Sequence, residues 1–365
     1  FSAWWICATA GSSNRERAAA GPARRRGTPG QSRMIFQPAI IALLLASIVS
    51  VAMLAAAAPF AVQVIRHWDI ASGSERQLQL ERRTYLFSTL AAFVMATQLL
   101  ALLLFVFNAD KMSEMFVGAM CAVGTLNVNA FGFPALIAQM AVFFLASAWL
   151  TVNHVDTRAP DYPLVRIKYG ALLLLLPAVA LVLGLQLEYF LNLKADVITS
   201  CCGSLFSEDT KGLSGDMAGL PPLPAMIGFY AILGLAVLSA AGHARWGRGG
   251  YWVALFGAAA FVAALAGIIS FVSLYIYEHP HHHCPFCILK PEYEYRGYLL
   301  YLPLFAAAAA ALGVGAVQPF RHRPTLSQVI PLVSRRLAWL AAAGYLAFAA
   351  VATAMVALSN LKLID

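Results

Sequence analysis

Long stretches of apolar residues, each about as long as one membrane crossing, recur along most of this 365-residue chain. A bilayer core about 30 Å thick needs about 20 apolar residues for each helical span. Hydrophobic residues make up 61% of the sequence and charged residues only 12%, against about 25% charged in ordinary soluble domains. The sequence therefore predicts a polytopic membrane protein in contact with the lipid bilayer. It excludes a soluble enzyme, a disordered chain and a nucleic-acid-binding domain.

The predicted fold is an all-α bundle of about eight transmembrane helices, because eight stretches are nearly free of charge in their middle. The predicted spans are 36–65, 85–107, 133–152, 170–192, 223–242, 251–276, 298–317 and 337–358. Residues 1–33 lack a starting methionine and are rich in Arg, Ala, Gly and Ser. We expect this leader to be non-native or disordered, and we treat 34–365 as a single transmembrane domain.

The distribution of lysine and arginine predicts which side of the membrane each loop faces. Most of these residues fall in the connections after the odd-numbered spans, among them Arg82, Arg83, Lys168 and Arg335. The positive-inside rule places those connections in the cytoplasm, so the net charge of +8 reports topology rather than a nucleic-acid partner. The outer loops are then about 108–132, 193–222 and 277–297, and both chain ends face outward. The protein is expected in a bacterial inner membrane, with its cysteine loops on the periplasmic side.

The most distinctive stretch is EHPHHHCPFCILKPEYEYR, residues 278–296, which joins a run of histidines to a Cys-Pro-Phe-Cys motif. Cys284 and Cys287 are spaced so that their sulfurs can meet within one turn. If the motif lies just ahead of a helix, the helix dipole and neighbouring cations lower the pKa of the first thiol. A lower pKa favours the thiolate, which is both the nucleophile and the metal ligand.

The segment CPFCILK, Cys284 to Lys290, resembles the corresponding segment of quinone-reducing disulfide oxidases of the DsbB type. In that family the CxxC passes electrons to a bound quinone and is recharged by exchange with a second cysteine pair. The resemblance implies that Cys284 and Cys287 are the quinone-proximal pair and that Lys290 lies near the quinone. Relatives of vitamin K epoxide reductase place the loop pair first, as Cys201 and Cys202 precede the CPFC motif here.

Cys201 and Cys202 are adjacent in the second outer loop, and Cys121 lies in the first. A disulfide between adjacent cysteines is strained and therefore easily reduced. Each member of the pair can instead bridge to another partner, such as Cys121 or the CPFC pair. Five outer cysteines leave one odd, which indicates a thiol outside any disulfide or an external partner.

Soft-metal binding is a competing interpretation, since thiolates and imidazoles suit copper(I), zinc or mercury. His281, His282 and His283 directly precede Cys284, so these residues with Cys287 form a candidate ligand set. The paired cysteines also resemble, loosely, those of mercury-uptake membrane proteins. Ion conduction is not expected, because no predicted span carries a charged residue in its middle.

Further polar and aromatic residues surround these motifs. The polar residues within spans are Gln98, Gln139, Gln186 and Glu188. The segment 116–132 is predicted to form an interfacial helix or a re-entrant element. Tyrosines near the CPFC motif are typical of an interfacial aromatic belt, and Tyr298 is the member expected to line a quinone site.

Three functions stay open from the sequence. The leading hypothesis is a membrane thiol–disulfide oxidoreductase in which Cys284 and Cys287 exchange with Cys201 or Cys202. Its electrons would pass to or from a quinone or a thioredoxin-like periplasmic partner. The alternatives are a membrane protein that handles a soft metal ion and a non-catalytic subunit of a larger membrane complex. The spans rich in Ala and Gly, 251–276 and 298–317, allow close helix packing and suit the last of these.

Overall fold

A computed structural model describes residues 38–193, 217 and 219–362, whose regular secondary structure is all helical, with no strand. Eight of the described helices are long and apolar enough to cross a membrane. They are α1 Pro38–His67, α2 Glu75–Met112, α3 Gly132–Asp156, α4 Val165–Leu191, α5 Pro222–Trp246, α6 Gly250–Gly267, α7 Arg296–Val317 and α8 Val329–Ala357. Helix α6 continues through a π-helical turn at Ile268–Val272 into Ser273–Tyr277. The predicted bundle of eight transmembrane helices is confirmed.

Helix α2 begins well before its predicted span. The Ser74 hydroxyl accepts a hydrogen bond from the Gln77 backbone N–H at 3.3 Å, which caps the helix at Glu75 rather than near 85. Arg82 and Arg83 consequently lie on the helix and not in a loop, so their predicted loop position was wrong. A capped helix extends past the apolar stretch because its first turns can lie outside the bilayer core.

Lys168 was also predicted to lie in a connection, and this prediction was wrong. It lies on α4, and its Nζ is 2.7 Å from Asp156 Oδ2 at the end of α3. Neither side chain is exposed. A buried charge is tolerated when an opposite charge neutralises it at contact distance. The charge pattern could not indicate this pairing, because both residues fall outside the apolar stretches.

The eight helices form two groups of four with the same order of neighbours. In the first half, α1 packs on α2, α2 on α3, α3 on α4, and α4 back on α1. In the second half, α5 packs on α6, α6 on α7, α7 on α8, and α8 back on α5. The two halves meet mainly where α3 packs on α7.

Aromatic and small residues make these packings close. Phe144 on α3 stacks on Phe305 of α7, and the ring of Phe261 on α6 meets both at 5.0 Å between centroids. An added Cβ at Gly257 would lie 2.4 Å from the Ala311 Cβ, so α6 and α7 are in near-backbone contact. The expected close packing of the Ala- and Gly-rich spans therefore occurs between helices of this same chain.

A chain of buried polar side chains crosses the middle of the first half. Ser47 donates to Gln186 Oε1 at 2.8 Å, and Gln186 Nε2 donates to Gln139 Oε1 at 3.1 Å. Gln139 Nε2 in turn donates to the Gln98 carbonyl at 3.2 Å, and Gln98 Nε2 donates to Ser50 Oγ at 2.9 Å. These hydrogen bonds link all four helices of the half. They satisfy groups that have no water available to them in the bilayer core.

We expect Gln139→Leu to destabilise the protein by about 1–2 kcal/mol, because it leaves Gln186 without its acceptor and Gln98 without its donor. The measurement is thermal unfolding of the purified protein in detergent. Gln79→Leu is the matched control, since Gln79 is exposed near the start of α2 and bonds only to Glu75 within that helix. Equal melting temperatures for the two variants would contradict the importance of the polar chain.

Candidate functional site

The Cys-Pro-Phe-Cys motif lies in a compact loop between α6 and α7. Helical structure on the α6 side ends at Tyr277, and α7 begins only at Arg296. Cys287 opens a short 3₁₀ turn, Cys287–Leu289, and no long helix begins at Cys284. The motif therefore does not lie directly ahead of a helix, which was the condition for the predicted effect of a helix dipole on Cys284.

Two tyrosines hold the backbone of this loop. The Tyr277 hydroxyl donates to the Cys284 carbonyl at 2.5 Å, and the Tyr301 hydroxyl donates to the Pro285 carbonyl at 2.7 Å. Tyr277 comes from the end of the α6 segment and Tyr301 from the first turns of α7. The positions of both cysteines are thus set by the two helices that flank the loop.

The segment between α2 and α3 reaches the same place from the other half of the bundle. Within 116–132, a short helix at Ala122–Leu126 has every residue buried, so this helix lies inside the protein. Cys121 immediately precedes that helix. Gly132 begins α3 against it, where an added Cβ would lie 2.2 Å from the Leu126 carbonyl oxygen. The tight contact fixes the position of Cys121 relative to α3.

Three cysteine side chains meet at this point, and we call them the thiol cluster: Cys121, Cys284 and Cys287. Their sulfurs all lie within 4.8 Å of one another, and the Cys121 and Cys284 sulfurs are 3.5 Å apart. That separation exceeds the length of a disulfide bond, about 2.05 Å. All three side chains are buried, with Cys287 the most exposed at 5%.

The cluster lies at the junction of the two halves. Cys121 follows the second helix of the first half, and Cys284 follows the second helix of the second half, so they occupy corresponding connections. Lys290 strengthens the same junction, since its Nζ lies 3.6 Å from Asp110 Oδ1 and donates to Ser113 Oγ at 2.9 Å. Assembly of the site therefore requires both halves to be in place.

His283 is anchored by the π-helical turn of α6. Its Nδ1 lies 2.9 Å from the Ile269 carbonyl, which can only accept, so Nδ1 carries the proton. In the neutral ring Nε2 then has a lone pair, and this atom is buried with no hydrogen-bond partner among the described residues. A π-helical turn displaces carbonyls from the regular pattern and occurs frequently at functional sites.

The other histidines proposed as metal ligands are arranged differently. His281 is exposed, and His282 stacks on the Tyr277 ring with centroids 4.2 Å apart. Among the described residues, the group of donors within 4.8 Å of one another contains the three cysteines and none of the histidines. The run of histidines thus flanks the thiol cluster, and of His281, His282 and His283 only His283 is buried as a whole residue.

Lys290 and Tyr298, the proposed quinone residues, both have contacts within the protein. The Lys290 ammonium group lies next to the Asp110 carboxylate and donates a hydrogen bond to Ser113 Oγ, so part of its hydrogen-bonding capacity is used within the protein. Tyr298 is half-buried on the first turn of α7, and its ring lies 6.2 Å from Tyr295. The predicted contact of these two residues with a quinone stays a prediction.

Electrostatics around the loop reflect the neighbouring sulfurs. Burial raises the pKa of the Tyr293 hydroxyl above its ordinary value, and negative charge at Cys287, Glu292 and Cys284 raises it further. The Tyr293 ring packs 4.6 Å from that of Tyr277, beside the cluster. At neutral pH this phenol therefore stays protonated and remains a hydrogen-bond donor.

Cys201 and Cys202, predicted to exchange with the CPFC pair, lie outside the described residues, as does the leader at 1–33. The structure instead adds Cys121 to the site; from the sequence, Cys121 was only a candidate disulfide partner of Cys201 or Cys202. The sequence did contain one indication that Cys121 belongs to the site, since it follows the second span of the first half as the CPFC motif follows the second span of the second half. That indication can be used only once the two halves are known to pack in the same order.

No protein-family model, no curated protein and no solved structure matches this chain. The chemistry of the site is therefore argued from its own geometry.

We expect Gly132→Ala to displace Cys121, because the new methyl group would overlap the Leu126 backbone. The prediction is at least a severalfold faster reaction of the Cys121 thiol with a maleimide in the variant. The rate is followed by mass spectrometry of the labelled peptide. Gly184→Ala is the control, since nothing lies within 4 Å of its added Cβ. An unchanged labelling rate in Gly132→Ala would show that this contact does not position the cysteine.

Proposed function

We propose that the protein binds a soft metal ion through the three thiolates of the thiol cluster. The observation that carries the proposal is the convergence of three buried sulfurs within 4.8 Å, one of them from a different half of the bundle. Thiolates select ions of the class of copper(I), zinc and mercury(II). The function that follows is membrane-associated handling of such an ion.

The spacing of the sulfurs suits a metal site. Metal–sulfur bonds of about 2.3 Å in a planar three-coordinate site separate the sulfurs by about 4.0 Å, and in a tetrahedral site by about 3.8 Å. Both values fall between the 3.5 Å of the Cys121–Cys284 pair and the 4.8 Å limit of the whole cluster. Only small movements of the side chains are needed to reach ligand geometry.

Burial favours a metal ion over a protein partner as the direct reactant. Cys121 and Cys284 have no exposed surface, whereas exchange with another protein requires that its sulfur reach a thiolate. A metal ion needs only a narrow path, and its positive charge offsets the negative charge that the thiolates gain. Metal binding releases the thiol protons, so affinity is expected to rise with pH.

The test is the metal content of the full-length protein, reduced and loaded with copper(I) without oxygen, then passed through a desalting column. One bound ion per chain is expected in the wild type, and Cys121→Ser is expected to weaken binding about 100-fold or more by removing one of three ligands. Competition with a coloured copper(I) chelator gives the affinity.

Cys7→Ser is the matched control, because it removes a cysteine that lies far from the cluster in sequence. If Cys121→Ser keeps the wild-type affinity while His281→Ala loses it, the ion binds at the histidines and the proposal is wrong. Failure of the wild type to retain copper(I), zinc or mercury(II) would overturn it directly.

Thiol–disulfide exchange is a second candidate, supported by the 3.5 Å between Cys121 and Cys284. In this step the Cys121 thiolate attacks Cys284 of a Cys284–Cys287 disulfide. A Cys121–Cys284 bond forms, the Cys284–Cys287 bond breaks, and Cys287 leaves as the thiolate. This exchange is redox-neutral, so net turnover needs both a two-electron donor and a two-electron acceptor, for example the dithiol of a thioredoxin-like protein and a quinone.

A map of the disulfides in the oxidised protein by mass spectrometry tests this candidate. We expect the Cys287→Ser variant to accumulate a Cys121–Cys284 bond and the Cys121→Ser variant to accumulate a Cys284–Cys287 bond. Recovery of neither bond after mild oxidation with a quinone would rule out the exchange. It would leave metal binding unaffected, so the two candidates fail independently.

A further inference from the structure

A groove with a charged end lies on the second half of the bundle, where α5 meets α6. It has a volume of about 830 Å³ and includes residues of the short turn that joins the two helices. This turn is at the end of the bundle opposite the thiol cluster, because α6 runs from one end to the other. Nothing in the proposed metal or thiol chemistry uses the groove.

The apolar part of the groove follows one side of α5. Four lining residues are three or four positions apart on this helix and therefore share one side of it: Leu235, Leu238, Gly242 and Trp246. Leu235 is 46% exposed and Leu238 is 70% exposed, so this side faces outward from the bundle. The helix from Leu235 to Trp246 covers about 16 Å at 1.5 Å per residue, which is about half the thickness of a bilayer core.

Two tryptophans border the charged end of the groove. Trp246 is the last residue of α5, and its ring lies against Gly242, since an added Cβ there would be 3.3 Å from Trp246 Cζ3. Trp252 lies in the first turn of α6 and stacks on Phe256, with the ring centroids 5.7 Å apart. Indole rings are typical of the boundary between lipid head groups and acyl chains. The groove therefore passes from the level of the head groups into the apolar core.

Arg248 supplies the charge at this end. It lies between Gly247 and Gly249, whose positive φ angles of 68° and 77° let the chain reverse direction in a short turn. The His243 ring holds the turn, because its Nδ1 donates to the Arg248 carbonyl at 3.0 Å and its Nε2 lies 3.2 Å from Ser334 Oγ on α8. His243 is buried, whereas Arg248 is exposed. The backbone that carries the guanidinium group is thus fixed at the surface of the groove.

No carboxylate in the described part of the chain neutralises this arginine. Arg248 and its exposed neighbour Arg245 take part in none of the ion pairs among the described residues. The sequence contains no aspartate or glutamate at 222–277 or at 296–362. The other arginines at the same end of the second half are Arg321, Arg323, Arg335 and Arg336. This end of α5 to α8 is therefore positively charged, which favours an anionic ligand.

The two parts of the groove together indicate the class of ligand. A guanidinium group without a carboxylate partner binds phosphate through charge-assisted hydrogen bonds. An outward-facing apolar groove about half a bilayer deep suits an acyl chain, because both are removed from water. We propose that the groove binds one anionic phospholipid, with its phosphate at Arg248 and an acyl chain along Leu235 and Leu238.

The experiment is quenching of tryptophan fluorescence by phospholipids with brominated acyl chains, in vesicles that contain the full-length protein. The vesicles are equal mixtures of phosphatidylglycerol and phosphatidylcholine, and only one of the two lipids carries bromine. The signal of the groove is the difference between the wild type and a variant that combines Trp246→Phe with Trp252→Phe. We expect the groove to prefer phosphatidylglycerol about fivefold, the ratio expected for one arginine beside an anionic lipid.

Arg248→Gln is expected to remove this preference, and Arg248→Lys to retain part of it, because lysine binds phosphate as a point charge. Arg335→Gln is the matched control, since it removes an exposed charge at the same end of the bundle but outside the lining of the groove. It should leave the preference unchanged. Both arginines are exposed, so the variants are expected to keep the wild-type melting temperature.

Equal quenching by the two brominated lipids in the wild type would identify ordinary boundary lipid and would overturn the proposal. Equal losses of preference in Arg248→Gln and Arg335→Gln would also overturn it, because the preference would then come from the overall charge of the surface. If neither lipid quenched the two tryptophans, another protein chain would cover the groove and the proposal would be wrong. None of these outcomes depends on metal binding by the thiol cluster.

Discussion

Water is absent from the bilayer core, so every polar group placed there must find its partner within the protein. The helices satisfy the backbone. In the first half, a continuous chain of hydrogen bonds through Gln98, Gln139 and Gln186 satisfies the amide side chains and links four helices. The second half instead brings its helices together through glycine and alanine, as at Gly257 and Ala311. Two different solutions to one constraint thus produce halves with the same order of neighbours.

The contact between those halves creates the thiol cluster. Neither half contains it alone, because Cys121 comes from the first and the CPFC motif from the second. Three contacts keep the sulfurs close together. They are the packing of α3 on α7, the Lys290–Asp110 ion pair and the packing of Gly132 against Leu126. A site built on a junction responds to any shift between the halves, so metal or disulfide bonds here would in turn stabilise their association.

The two ends of the bundle offer different chemistry. One end presents buried sulfurs and an anchored imidazole, which suit a soft ion. The other end holds the Lys168–Asp156 ion pair, in which neither side chain is exposed. The two ends are separated by the length of the membrane-spanning helices.

The sequence by itself determined the class of fold, since uncharged apolar stretches of membrane-spanning length can only form helices that satisfy their own backbone. It also identified Cys284 and Cys287 as candidate site residues from their spacing and neighbours. Only the tertiary structure decided that Cys121 joins them and that Lys168 is buried against Asp156. It also decided that no long helix begins at Cys284, since only the 3₁₀ turn Cys287–Leu289 follows it directly. These features depend on which helices pack together, and the sequence pattern of one helix does not indicate which other helices contact it.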